Sequence, residues 1–80
     1  AWDLHFNYGN LLGRVGDIDA AILSLQKAMQ LNPSAASVYV SLSYLLARQQ
    51  KMPQAESFAR IAANLAPDSP EALNQLGVVL

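Results

Sequence analysis

The chain contains no cysteine. That excludes disulfides, thiolate nucleophiles and cysteine-ligated zinc, and it leaves the redox compartment open. Histidine occurs once, as His5, and tryptophan once, as Trp2. Charge is also sparse: 14% of the 80 residues are acidic or basic, and the formal net charge is -1. Such a balance sets up no field that would gather nucleic acid or anionic lipid. The five cations (Arg14, Lys27, Arg48, Lys51 and Arg60) are scattered and build no basic patch. No apolar run reaches the ~20 residues of a membrane-spanning helix, and the N-terminus lacks the basic-then-apolar order of a secretion signal. Neither nucleic acid nor a membrane is expected as a partner.

What is present is apolar, at 52% of residues, in short helical spacings broken by four prolines. A chain of this length makes one small domain or a piece of a larger one, and its core is marginal in size. It begins on Ala1 and ends on Val78, Val79 and Leu80 without a terminator, so it reads as an excised fragment.

Shifting the sequence by 34 residues against itself exposes a repeat. Leu11 falls on Leu45, Leu12 on Leu46, Arg14 on Arg48, Ala21 on Ala55, Ala28 on Ala62, Leu31 on Leu65, Pro33 on Pro67 and Leu42 on Leu76. Gly9, Ser43 and Gly77 form a column of small residues at one phase. Small residues let two helix backbones approach closely, and proline marks where a helix stops. Each unit therefore reads as a helical hairpin, with helices expected over roughly 2–14, 18–31, 35–49, 52–65 and 70–80. Gly16 is the expected stop of the first helix and Asp17 the cap of the second. Ser69, Pro70 and Glu71 open the fifth.

These columns resemble the tetratricopeptide repeat family. Counting from Trp2, Ala36 and Pro70, the family's small eighth residue is Gly9, Ser43 and Gly77, and its large eleventh is Leu12, Leu46 and Leu80. Its alanines are Ala21 with Ala55 and Ala28 with Ala62, and its proline is Pro33 and Pro67. The usual fourth-position tryptophan is replaced by His5, Tyr39 and Leu73. The large twenty-fourth residue is Leu25 in the first unit but Ala59 in the second, where neighbouring Phe58 is expected to fill the volume. The resemblance covers the chain as one fragment: a first repeat at about 2–35, a second at about 36–69, and the first helix of a third at about 70–80. It implies an all-α, right-handed superhelical solenoid of helix-turn-helix hairpins.

The same resemblance implies a protein-interaction scaffold with no catalysis, cofactor or metal of its own, binding a peptide or helix of a partner protein in the concave groove. In the family, first helices line that groove. Here they would present Asp3, Phe6, Asn7, Asn10, Gly13 and Arg14, then Ser37, Val40, Ser41, Tyr44, Ala47 and Arg48, then Glu71, Asn74, Gln75 and Val78. Asn7, Asn10, Ser41, Asn74 and Gln75 form an amide-rich ladder suited to a peptide backbone. Phe6, Val40, Tyr44 and Val78 offer apolar contact. Arg14 and Arg48 either hold an acidic group or cap the carbonyls at the ends of their helices.

Other chemistry finds little support. "GNLLGRVG" has three glycines but no following Lys-Ser/Thr and no preceding strand, so it is not a phosphate loop. His5 has no relay partner at a useful spacing, and no ligand cluster for a metal is in view. The family's chaperone-tail clamp would place basic and amide groups where Phe6, Asn10, Ser41, Glu71 and Gln75 stand, and only Asn10 agrees. Two alternatives remain: a substrate-recruiting segment of a larger enzyme such as a glycosyltransferase, or self-association through the open C-terminal helix. In that last helix, Leu73, Leu76 and Leu80 are expected against the preceding hairpin, with Gly77 and Val79 left uncovered.

Overall fold

The computed structural model describes residues 1–80 as five helices and no strand: α1 (Trp2–Val15), α2 (Ile18–Leu31), α3 (Ala36–Arg48), α4 (Met52–Leu65) and α5 (Pro70–Val79). The helices α1 and α2 pair as one hairpin and α3 and α4 as a second, and α5 lies on the second hairpin. Each hairpin packs on the next, giving an all-α solenoid.

Local chemistry sets the corners. Gly16 turns into the left-handed region at φ 95°. Its N–H donates to the Gly13 carbonyl, and the Asp17 N–H donates to that of Leu12. The Asp17 carboxylate then accepts the Ala20 N–H at 3.4 Å, capping α2. Thirty-four residues on, the same corner is built from poorer parts. Gln50 takes the left-handed position at φ 64°, where a side chain costs about 1 kcal/mol or more. Lys51 occupies the cap position, makes no side-chain cap bond, and sets a cation at the positive end of α4.

Copying the first corner into the second should therefore stabilise the fold. The double substitution Gln50→Gly with Lys51→Asp is expected to add about 1 kcal/mol, read as a higher urea midpoint at unchanged slope. An unchanged or lower midpoint would show that the second corner is already at its optimum.

The packing shows that each first helix carries two apolar faces. On α3, Val38, Leu42 and Leu45 are buried with Ala21, Leu25 and Ala28 of the preceding hairpin. Leu46 instead packs with Ala55 and Ala59, and Tyr39 with Ala62, all on its own second helix α4. The Tyr39 hydroxyl donates to the Pro33 carbonyl at 2.8 Å, so its polar tip is satisfied. Phe58 stacks beside the Tyr39 ring, centroids 6.0 Å apart, and touches all three hydrophobic clusters. It supplies the bulk that Ala59 lacks.

This two-faced arrangement corrects the expectation for α5. Ala72, Leu76 and Val79 are the counterparts of Val38, Leu42 and Leu45, and they are the residues that pack on the second hairpin. Leu73 and Leu80 correspond to Tyr39 and Leu46, which face a helix's own partner. With no following helix in residues 1–80 to cover them, they are 49% and 72% exposed. Val79, expected to be uncovered, is buried. On α1 the opposite face is open: Leu4, Tyr8, Leu11 and Val15 form an exposed stripe at helical spacing.

The small-residue column sits where each first helix meets its own second helix. A Cβ on Gly9 would stand 2.8 Å from the Leu25 Cγ and 3.1 Å from the Ala21 carbonyl oxygen. The counterpart Ser43 fits because Ala59 replaces the leucine, and its hydroxyl donates to the carbonyl of Ala55, the counterpart of Ala21, at 2.8 Å. Gly77 has no such neighbour.

Candidate functional site

Residues from the first helices converge on one open cleft of about 410 Å³. Helix α1 contributes Asn10, Gly13 and Arg14 from its C-terminal half. Helix α3 contributes Val40, Ser41, Tyr44, Leu45 and Arg48, and α5 contributes Gln75. The helical repeat explains the set: within α1 and within α3 the contributing residues recur at three- and four-residue intervals and so share a face. Gly13 is buried at the base, with Leu45 Cδ2 3.2 Å from where its Cβ would stand, so a side chain there would push into the packing of α3.

Of the residues expected from sequence, the cleft gathers Asn10, Gly13, Arg14, Val40, Ser41, Tyr44, Arg48 and Gln75. It does not include Asp3, Phe6, Asn7, Ser37, Ala47, Glu71, Asn74 or Val78. Phe6 is turned partly into the core, against the cluster of Ala21 and Leu25, with its ring 5.8 Å from that of Trp2. Asp3, Asn7, Glu71, Asn74 and Val78 are exposed outside the cleft, and Ser37 is half-buried. Of the amide ladder, Asn7 and Asn74 thus lie off the cleft, whose walls are α1 from Asn10 onward and α3 from Val40 onward.

Gln75 lies at the cleft but is not a free member of the ladder. It is only 7% exposed. Its Nε2 donates to the Ser43 hydroxyl at 3.1 Å, and that hydroxyl donates to the Ala55 carbonyl at 2.8 Å. The amide therefore joins α5 to α3 and, through Ser43, to α4. Sequence reasoning missed this link, and it missed Leu45 as part of the cleft. The only signal for the first was a serine in a column otherwise made of glycine.

The two arginines can be placed firmly. The Arg48 guanidinium lies over the Tyr44 ring, 5.8 Å from its centroid, and the ring is half exposed. The chain's single ion pair is Arg60 with Glu56, so neither Arg14 nor Arg48 faces an acidic partner. The carbonyl-capping alternative is not what occurs. At the end of α1 the carbonyls of Leu12 and Gly13 accept backbone N–H groups from Asp17 and Gly16. At the end of α3 those of Leu45, Leu46 and Ala47 accept from Gln49, Gln50 and Lys51.

A second cleft of about 390 Å³ lies on the side of α2 and α4, with Asp19, Gln26, Gln49 and Lys51 among its lining residues. There the Gln49 amide donates to the Asp19 carboxylate at 2.8 Å and ties α3 to α2. No three His, Asp or Glu side chains gather anywhere as a metal site would require, and no helix is long and apolar enough to cross a membrane.

Comparison with known proteins bears on the first helical hairpin. A family model described as tetratricopeptide repeat matches residues 3–34, the span from the first turn of α1 to the loop before α3. Repeats of that family generally act as scaffolds for protein interaction and are typically not catalytic. No curated protein matches the chain.

Proposed function

We infer that this tetratricopeptide-repeat chain is a protein-interaction scaffold that takes a peptide or helix of a partner protein in the cleft between α1 and α3. The observation that carries this reading is the composition of the shared concave face. Two successive first helices place Asn10 and Ser41, which hydrogen-bond, beside Val40 and Tyr44, which offer apolar contact, around one open volume. That mix suits a peptide, whose backbone needs partners and whose side chains need burial. Rigid stacked helices hold the groups in place, so little ordering cost falls on the scaffold when it binds.

The test is selection of displayed twelve-residue peptides on the wild-type chain, followed by titration of the selected peptides as free molecules. Tyr44→Ala is expected to weaken binding at least tenfold, about 1.4 kcal/mol, with helicity unchanged. Asn7→Ala, outside the cleft, should leave affinity unchanged. Selected peptides indifferent to Tyr44 would move the site elsewhere.

A second reading, self-association, is favoured by a separate observation: the open apolar stripe of Leu4, Tyr8, Leu11 and Val15 on α1, and exposed Leu73 and Leu80 on α5. Solution mass across a concentration series distinguishes it. A mass fixed at 8.6 kDa would remove self-association for this chain.

A further inference from the structure

We propose that the stripe of Leu4, Tyr8, Leu11 and Val15 on α1 docks on the same stripe of a second copy of this chain, the two helices running antiparallel about a two-fold axis. This rests on the self-association reading and adds to it the surface, the partner helix and its direction.

The stripe lies on the side of α1 that its own chain leaves free. The opposite side is filled: Phe6 packs on the cluster of Ala21 and Leu25, and the side chains of Leu25 and Leu45 close on Gly9 and Gly13. The four stripe residues are each more than half exposed. Their spacing of four, three and four residues is that of a two-helix seam, with leucine at one seam position and tyrosine or valine at the other. The second repeat shows how this face looks when it serves the stacking of hairpins. There Val38, Leu42 and Leu45 are buried on the preceding hairpin, and Gln49 ends the face by bonding Asp19 of α2. On α1 a tyrosine stands in the column of Leu42 and a valine in that of Gln49. The open face is thus bulkier, and one apolar layer longer, than its stacking counterpart.

A second copy suits this face because the stripe is its own complement. Turned end for end, it sets Leu4 against Val15 of the second copy and Tyr8 against Leu11. Each contact then occurs twice, as a closed two-fold interface requires. Charge selects this direction. Asp3 in the first turn and Arg14 in the last share one flank of the stripe, with Asn7 between them. Antiparallel helices bring that flank against itself, so that Asp3 meets Arg14 of the second copy, and they oppose the two helix dipoles. Parallel helices would align the dipoles and leave the two charges at opposite ends. Exposed ion pairs set direction more than strength, and the apolar layers carry the affinity. Helix α5 offers a poorer seam, because Leu73 and Leu80 flank Gly77, which has no side chain to fill the middle. A contact of one helix pair falls at the small end of specific interfaces, below about 1,200 Å², so the dimer is weak and reversible.

The test follows the solution mass of the intact chain up to about 1 mM, where it should rise from 8.6 kDa toward twice that value. Leu11→Glu sets a charge into the seam from each copy and should weaken the dimer at least about tenfold. Leu11 is exposed and glutamate suits a helix, so helicity should not change. Leu73→Glu with Leu80→Glu on α5 should leave the mass curve as it was. The absence of cysteine lets single cysteines report direction. Oxidising an equal mixture of Leu4→Cys and Val15→Cys chains should give mainly the mixed disulfide, identified by its mass. If the mass rises but only the α5 variant abolishes the rise, the α1 seam is overturned while self-association stands. Disulfides mainly between two Leu4→Cys chains would show parallel helices and overturn the arrangement. A mass fixed at 8.6 kDa at every concentration removes both this seam and self-association.

Discussion

Replacing Leu25 with alanine is expected to cost about 3–5 kcal/mol, because none of the side chain is left exposed. Leu25 is fully buried, and its neighbours belong to two helix pairs: Ala21 and Ala28 on its own helix, Val38, Leu42 and Leu45 on α3, and Gly9 across the hairpin. A domain of this size has a net stability of only about 4–12 kcal/mol, so the variant should be close to unfolding. Gly9→Ser is expected to cost about 1–3 kcal/mol, because its Cβ would meet the branch point of Leu25 at 2.8 Å. Some of that is offset by the better helix propensity of serine.

Made together, the two changes should cost less than their sum, because they copy the Ser43–Ala59 pair of the second repeat. There the small partner leaves room for the hydroxyl, which reaches the Ala55 carbonyl. Urea unfolding of the four proteins measures the coupling, expected at about 1–2 kcal/mol. Full compensation is not expected, since Phe58 fills the second repeat and Ser24 stands at its place in the first. Additivity within about 0.5 kcal/mol would show that the column and the twenty-fourth position are not paired in volume. Gly77→Ala is the internal control. Nothing lies within 4 Å of its added Cβ, so helix propensity alone should act, and stability should rise by up to about 1 kcal/mol.

This pairing explains which features were legible in the sequence. Helix limits were readable to within a residue or two because Gly16, Asp17, Pro33, Pro67 and Ser69 act locally, through backbone conformation and capping. The 34-residue phase was readable because Gly9 and Ala21 must meet at fixed geometry in every hairpin. The docking face of α5 was misread because Leu73 and Leu76 look alike in a periodic pattern. They belong to faces about 60° apart that differ only in which helix covers them, a fact set by tertiary packing. The groove was half legible for a similar reason. The family resemblance implied one shared face for Arg14, Tyr44 and Arg48, and they line one cleft, but it could not show that Phe6 turns to the core or that Gln75 spends its amide on Ser43.

That buried relay gives the second large effect. Ser43→Ala should cost about 1–3 kcal/mol, a figure set less by the lost hydrogen bond than by what it strands. The Gln75 Nε2 would keep its burial and lose its acceptor. The Ala55 carbonyl loses only a second partner, because it remains in the α4 ladder. The effect should concentrate in α5, which reaches the rest of the protein only through α3 and α4. Hydrogen exchange should therefore show protection falling in α5 before α1 and α2 respond. Adding Gln75→Leu to Ser43→Ala removes the stranded donor and substitutes an apolar side chain of similar length. The double variant should recover most of the stability, since deleting both members of a buried polar pair can be nearly neutral. If the double variant is no more stable than Ser43→Ala alone, the relay is not what holds α5, and its apolar contacts through Leu76 and Val79 carry the docking. If it recovers, it also separates two roles of one residue: a chain that folds with leucine at 75 but binds selected peptides as before uses Gln75 to secure the wall of the cleft and not to read the ligand.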